Sequence, residues 1–319
     1  MYKTIKLFLI KTFLLGLFTW GTIEIIYQFN PFKKRDLEIS YTASIIEKYN
    51  RLQILPSPKI VLIAGSNFAY GINSEMLAKA FNRPVVNMAM HYDYGTDFML
   101  RQIEPELHAG DTVIMGFEYI IDSKGDIGEK IQMAKIFPKA NHWFTYSDIV
   151  EYISENAIAR ISAFRLTLER MTGEDAIAPT IQDTTSIFFR KAINEYGDLV
   201  SHLNNPSLKV IPNAVINDKV SLEEPIRDMN RFYATMHTKG VQVFYSYPSY
   251  AASTYNNDKE IIEVLDKQLQ GNAKFPILGK PQDFVFADSL CQDMVYHLNV
   301  KGRDIRTQKL VDLLKSRIK

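Results

Sequence analysis

Apolar positions along the chain fall into two kinds of run. Near the N-terminus, "LFLIKTFLLGLFTWGTIEII" (residues 7–26) is apolar for 20 residues, broken only by Lys11 and Glu24. That is about the length a helix needs to cross the hydrocarbon core of a bilayer. From "KIVLIA" (residues 59–64) onward, short runs alternate with amphipathic stretches. "PVVNMAM" (84–90) and "DTVIMGFEY" (111–119) follow, and such runs predict strands buried on both faces. Between them, residues 74–81, with Asn73 or Ser74 as N-cap, and "TDFMLRQIEPELHAG", closed by Gly110, predict helices. A further helix is expected at about 37–52, ahead of Pro56 and Pro58.

The alternation lapses at about residue 120. The next hundred residues read as mostly helical, "DIVEYISENAIARISAFRLTLERM" (148–171) being the longest candidate. It resumes with a helix at "SLEEPIRDMNRFYATMHTKG", a strand at "VQVFYSYP", a helix over 258–270 and a last helix from Val300 to about Arg317. This predicts an α/β fold with a central parallel sheet and helices on both faces. The expected organisation is an N-terminal signal anchor or transmembrane helix over 1–30 and a linker with a helix over 31–58. An α/β domain over 59–319 follows, carrying a helical insertion at about 120–220.

Charge around the apolar run is nearly balanced, with Lys3 and Lys6 before it and Lys33, Lys34 and Arg35 after it, so the orientation rule decides little. No small-x-small cleavage site follows, which favours an uncleaved anchor through residues 7–26. The competing reading is an amphipathic helix packed on the domain. Overall, 37 basic residues against 36 acidic leave a net charge of +1. No positive surplus exists to neutralise a phosphate backbone, so nucleic acid is not an expected partner. The single cysteine, Cys291, excludes an internal disulfide and a cysteine-built zinc site. His108, His142 and His237 stand at no metal-ligand spacing from an acid, and neither metal nor cofactor is expected.

Candidate chemistry starts at "VLIAGSNFAYGINSEML" (61–77), where a buried strand runs into Gly65-Ser66. A serine there stands at the carboxyl edge of a parallel sheet, where ligands bind in open α/β folds. Its hydroxyl needs a base, and the base needs an orienting acid. "DMVYHLNVKG" near the C-terminus offers His297 and, four residues earlier, Asp293, with Asp288 in "FADS" as a second choice of acid.

Together, "GSNFAYGINSEML", "RPVVNMAMHYDYGTDFMLRQIEPELHAGDTVIMGFEY" and "DMVYHLNVKGRDIRT", with "NEYGDLVSHL" (194–203) in the middle region, resemble SGNH (GDSL-like) hydrolases. The likeness is to a membrane-anchored bacterial branch related to the DltD and alginate-acetylation types. It implies a flavodoxin-like three-layer α/β/α fold and acyl-ester chemistry on a cell-envelope carbohydrate, as an esterase or O-acyltransferase. The catalytic domain would be periplasmic, anchored in the bacterial inner membrane, with a membrane-bound acyltransferase as a further partner. By position, Ser66 matches the nucleophile, His297 the base and Asp293 the acid. The family's oxyanion donors are the serine N–H, a second-block glycine N–H, for which Gly95 or Ala89 is available, and a third-block asparagine. Here Glu118 stands in that asparagine's place, and Asp293 and His297 are one residue further apart than the usual Asp-x-x-His. These departures keep open a second reading, a catalytically inactive SGNH-fold scaffold of a polysaccharide modification or export complex.

Around these residues, the N–H of Asn67 is expected to face the same space as Ser66, while Asn87 and His91 either line the pocket or hold loops. Tyr119, Tyr247 and Tyr250 end strands and either stack on a sugar or close the core. His202 reads as a structural histidine.

Overall fold

The computed structural model describes residues 2–29, 39–172, 187–212 and 216–318. Contacts divide the chain into two units, Met1–Ser40 with Thr145–Ser186, and Tyr41–Phe144 with Ile187–Lys319. The expected insertion is thus shared between them, residues 145–186 belonging to the first. Lys33, Lys34, Arg35 and the start of the helix expected from residue 37 lie outside the described residues.

The first unit holds α1 (Tyr2–Gln28) and a long helix, α7 (Ile149–Thr172). Among the described residues, Lys3–Gln28 is the one helix long and apolar enough to cross a membrane. A capping box starts the 3-10 turn Tyr146–Asp148 that leads into α7, the Asp148 carboxylate accepting from the Thr145 N–H and hydroxyl at 2.7 Å each.

The second unit is α/β. In chain order it comprises α2 (Ile45–Ile54), β1 (Ile60–Ile63), α3 (Ser66–Gly71), α4 (Ser74–Phe81), β2 (Val85–Asn87), α5 (Thr96–Ile103), β3 (Thr112–Met115) and α6 (Ile127–Ile136). After α7 come α8 (Glu223–Thr238), β4 (Gln242–Ser246), β5 (Tyr250–Ala251), α9 (Ala252–Asn272), β6 (Ile277–Leu278), β7 (Val285–Phe286) and α10 (Val300–Leu314). Five strands form one parallel sheet in the order β2-β1-β3-β4-β6, and β5 pairs with β7 in a small parallel ribbon. Every residue of β1, β2 and β3 is buried, as a sheet covered on both faces requires.

The order reverses at β1, and handedness then assigns the layers. Right-handed crossovers put α4, between β1 and β2, on one face, and α5 and α8, which lead the chain the other way, on the opposite face. The packing agrees, since α4 contacts α10 while α5 contacts α8. The outer edge of β2 is covered by "NEYGDLVSHL", the Asn87 N–H donating to Tyr196 O at 2.8 Å, which removes an exposed strand edge.

Local chemistry explains where elements stop. Asn73 caps α4 by accepting from the Met76 N–H at 3.3 Å. The helix expected to run to Gly110 ends at Ile103 and tightens into a 3-10 turn over Glu104–Glu106, because Pro105 has no N–H to continue the ladder. Just past β3 the Phe68 ring sits on Gly116, where a Cβ would meet it at 2.0 Å, so the position has room only for glycine. Residues 66–71, between the expected strand and the helix expected over 74–81, form a separate short helix, α3.

Candidate active site

Strand β1 delivers Ser66 to the carboxyl edge of the sheet, beside the point where strand order reverses, and α3 begins at Ser66 itself. As the first helical residue, Ser66 keeps a backbone N–H with no acceptor inside the helix. Its Oγ lies 2.8 Å from His297 Nε2, and His297 Nδ1 lies 2.8 Å from Asp293 Oδ1. With Nδ1–H donating to the carboxylate, Nε2 is the acceptor facing the hydroxyl, the tautomer a general base requires. Ser66 is 8% and His297 2% exposed, whereas the Asp293 side chain is 32% exposed, so the chain of three meets solvent on its acid end.

The three residues between Asp293 and His297 are accommodated by the loop. Cys291 and Leu298 form an antiparallel bridge, and the Gln292 N–H donates to His297 O at 2.8 Å. The His297 N–H turns back to Met294 O at 3.2 Å. Residues 294–296 therefore loop out while acid and base face each other. Asn299 then caps α10, accepting from the Gly302 N–H at 3.2 Å, and so ties the loop to a rigid element. Asp288 is not in this chain, because its carboxylate accepts from the Ser253 N–H at 3.0 Å.

Tyr70, one turn after Ser66 in α3, lies flat on His297, ring centres 3.6 Å apart and planes 8° apart. His202 covers the other part of that ring at 4.5 Å. The ordered aromatic layers restrict rotation of the His297 imidazole. Burial, and then the charge of Asp293, push the Tyr70 hydroxyl well above its ordinary pKa, so it stays protonated. Burial lowers His202 to about 4, which leaves it neutral at pH 7 with Nε2–H donating to Leu298 O at 3.3 Å. His202 is a packing residue here, as its sequence context suggested.

The lowered pKa has a pH consequence. The unfolded chain protonates His202 near 6.5 and the folded one only near 4, so the unfolded state binds more protons between these values. Stability is expected to be intact above pH 6.5 and to fall through the window down to pH 4, this residue accounting for roughly 3 kcal/mol. His202→Phe, which keeps the ring against Tyr70, should flatten that part of the profile in urea unfolding at pH 7 and 4.5. An unchanged slope would rule His202 out as its source.

Glu118 is tied to the backbone around Ser66. Glu118 is 1% exposed and lies under the turn that presents the serine. Its carboxylate accepts from the Gly65 N–H at 3.2 Å and the Asn67 N–H at 2.9 Å. A Cβ on Gly65 would stand 2.4 to 2.7 Å from that carboxylate, which is why glycine precedes the serine. Glu118 is thus an acceptor holding the turn, not a donor to the serine's open side. The expectation that the Asn67 N–H faces the serine's open side is corrected, since Glu118 takes it.

Asn67 is gripped from the opposite side by Arg306, a residue that the reading of single motifs missed. Arg306 is fully buried in α10, and its Nη1 and Nη2 donate to Asn67 O at 2.8 Å and Asn67 Oδ1 at 2.7 Å. Nη2 also donates to Tyr247 O at 3.2 Å, and the guanidinium lies 4.7 Å over the Phe68 ring. Burial lowers Arg306 to about 9, the charge of Glu118 opposing, so it is a cation at pH 7. The available signal was the "GR" and "RT" of the terminal block, Arg303 and Arg306, both of which are buried.

Other expected pocket residues are occupied elsewhere. The Gly95 N–H donates to Tyr92 O at 3.0 Å, and a Cβ on Gly95 would meet the backbone of residues 123–125 at 2.6 Å. The glycine is required by its φ of 71° and that close approach, and it presents no free donor. The Ala89 N–H donates to Asn87 Oδ1 at 3.1 Å. Asn87 is fully buried, its Nδ2 donating to Phe68 O at 3.0 Å and Asp198 Oδ1 at 2.9 Å, so it holds loops rather than lining a pocket. His91 pairs with Asp93, Nδ1 to Oδ2 3.1 Å, and stacks on Tyr92. Tyr119, Tyr247 and Tyr250 are at most 3% exposed, which removes them as sugar platforms. Tyr247 and Tyr250 donate instead to Asp266 and Asp258.

No protein-family model matches this chain, and no curated protein matches it in sequence.

Proposed function

We propose that the chain is an SGNH-type serine esterase or O-acyltransferase with a flavodoxin-like three-layer domain, acting on an acyl ester of a cell-envelope carbohydrate. One observation carries the reading: the unbroken Ser66–His297–Asp293 chain with both links at 2.8 Å. Ser66 Oγ attacks the acyl carbonyl carbon while His297 Nε2 takes its proton, Asp293 holding the imidazolium that forms. The tetrahedral oxyanion forms beside the Ser66 N–H at the start of α3, a preorganised donor. Collapse expels the alcohol, which takes the proton from His297 and leaves acyl-Ser66. Water or a sugar hydroxyl then attacks that ester, His297 again accepting the proton and returning it to Ser66. Residues 7–26 hold the protein in a bacterial inner membrane, with the α/β unit on the periplasmic side.

A second reading, a non-catalytic SGNH-fold scaffold, is favoured by one specific feature. The N–H groups of Asn67, Ala89 and Gly95 are all engaged, which leaves few donors for an oxyanion. A fluorophosphonate probe separates the two. Stoichiometric labelling of the pure full-length protein, lost in Ser66→Ala, is expected for the enzyme. No labelling of folded wild-type protein would favour the scaffold.

A further inference from the structure

The first unit contains a helix that neither catalysis nor the anchor uses. Helix α7 lies on only one end of α1. Residues 3–20 of α1 are exposed throughout, and partial cover begins at Gly21 and runs to Tyr27. The link is ionic and specific: Arg160 Nε donates to Glu24 Oε2 at 2.6 Å, and its guanidinium sits 4.7 Å over the Tyr27 ring. Asn156 Oδ1 holds the same guanidinium at 2.9 Å. Asn156, Ala163 and Thr167 continue this covered side at helical spacing, Thr167 being 3% exposed.

The rest of α7 divides into two further faces. At 100° per residue, Ile149, Val150, Ile153, Ile161, Leu168 and Met171 fall on an arc of about one third of the circumference, whose near edge overlaps the α1-facing side at Arg160 and Thr167. All six are exposed, Val150 by 80% and Met171 by 72%. Glu151, Glu155, Arg165 and Glu169 occupy the far side, with Ile158 and Leu166 outside the apolar arc. Its charges recur along the whole length, which is too polar a pattern for a span.

Position supplies the occupant. Helix α1 is 27 residues long, about 40 Å, which exceeds a hydrocarbon core of about 30 Å. The last two turns, where α7 rests, therefore reach the boundary between acyl chains and headgroups. The apolar arc of α7 is carried there, where Ile25 of α1 is itself 61% exposed. We infer that α7 is an interfacial membrane helix, lying in the bilayer plane with its apolar arc among the outer acyl carbons, and docked on the anchor by Arg160 and Glu24. This rests on α1 spanning the membrane. The pair also neutralises the one acidic charge in the apolar run, which would otherwise be costly near lipid.

The test places an environment-sensitive fluorophore on single introduced cysteines of the full-length protein in phosphatidylcholine–phosphatidylglycerol vesicles. Native Cys291 is buried and the parent chain gives the background. Probes replace Ile153, Ile161 and Leu168 on the arc, Glu151 and Glu169 opposite, and Leu14 in α1. Quenching by lipids with a nitroxide near the headgroup is expected at the arc positions, at least twofold stronger than at Glu151 and Glu169. Leu14 should respond best to a nitroxide deep in the chain. Arc probes as unquenched as Glu151, with Leu14 quenched, would overturn the interfacial helix and leave the span standing. Deep quenching at Ile161 would also overturn it, in favour of a second span. An unquenched Leu14 would instead remove the span on which the inference rests.

Discussion

His297→Ala is expected to slow acylation of Ser66 by about 10⁶-fold, measured as the rate of fluorophosphonate labelling, with the circular dichroism spectrum unchanged. Enzymes with this constellation lose about that much when the base alone is removed, because the serine hydroxyl is then not deprotonated. Asp293→Asn should cost about 10⁴-fold, since an amide in its place favours the wrong imidazole tautomer. The double variant should be little slower than His297→Ala, because the acid acts only through the imidazole. Labelling of His297→Ala within tenfold of wild type would remove it from the role of base, whatever the 2.8 Å separation.

Arg306→Met should lower the stability of the full-length protein by about 3–5 kcal/mol, read as a shift in thermal or urea unfolding in detergent. Three losses coincide. Asn67 Oδ1 is left without a donor and Asn67 O loses one of its two, the buried Glu118 carboxylate loses its opposing cation, and the fork that ties α10 to the serine turn disappears. Glu118→Gln should cost less, about 1–3 kcal/mol, as the amide oxygen still accepts one of the two N–H groups. If the two residues act together on Asn67, Arg306→Met/Glu118→Gln should be more stable than the sum of the single losses predicts. Strict additivity would mean that each holds the turn independently. Arg306→Lys keeps the charge but not the planar fork, so it should recover only part of the loss.

Much of the architecture was legible from pattern alone. Runs such as "KIVLIA" and "DTVIMGFEY" mark strands because a parallel sheet is buried on both faces and tolerates no polar alternation. Gly65-Ser66 and the Asp293–His297 pair were legible as residue types at the ends of elements. Where expectation and structure part, the cause is long-range. Whether Gly95 is an oxyanion donor or a close-packed turn depends on the backbone of residues 123–125, some thirty residues on. Tyr119, Tyr247 and Tyr250 look alike as strand-end aromatics until the packing of α9 supplies carboxylates for two of them.

The sequence by itself determined the alternation of strands and helices, the apolar N-terminal helix and which side chains could carry acid–base chemistry. Those properties follow from local periodicity and chemical type. Tertiary structure alone decided that His297 reaches Ser66 across 231 positions, and that the residues between Asp293 and His297 loop out so that the two side chains meet. It also decided that Glu118 and Arg306 grip Asn67 from two sides. A buried carboxylate and a buried guanidinium are costly unless backbone groups and each other's field satisfy them. Which backbone groups are near enough to do so is settled only when the ends of β1 and β3 and helix α10 meet at one sheet edge.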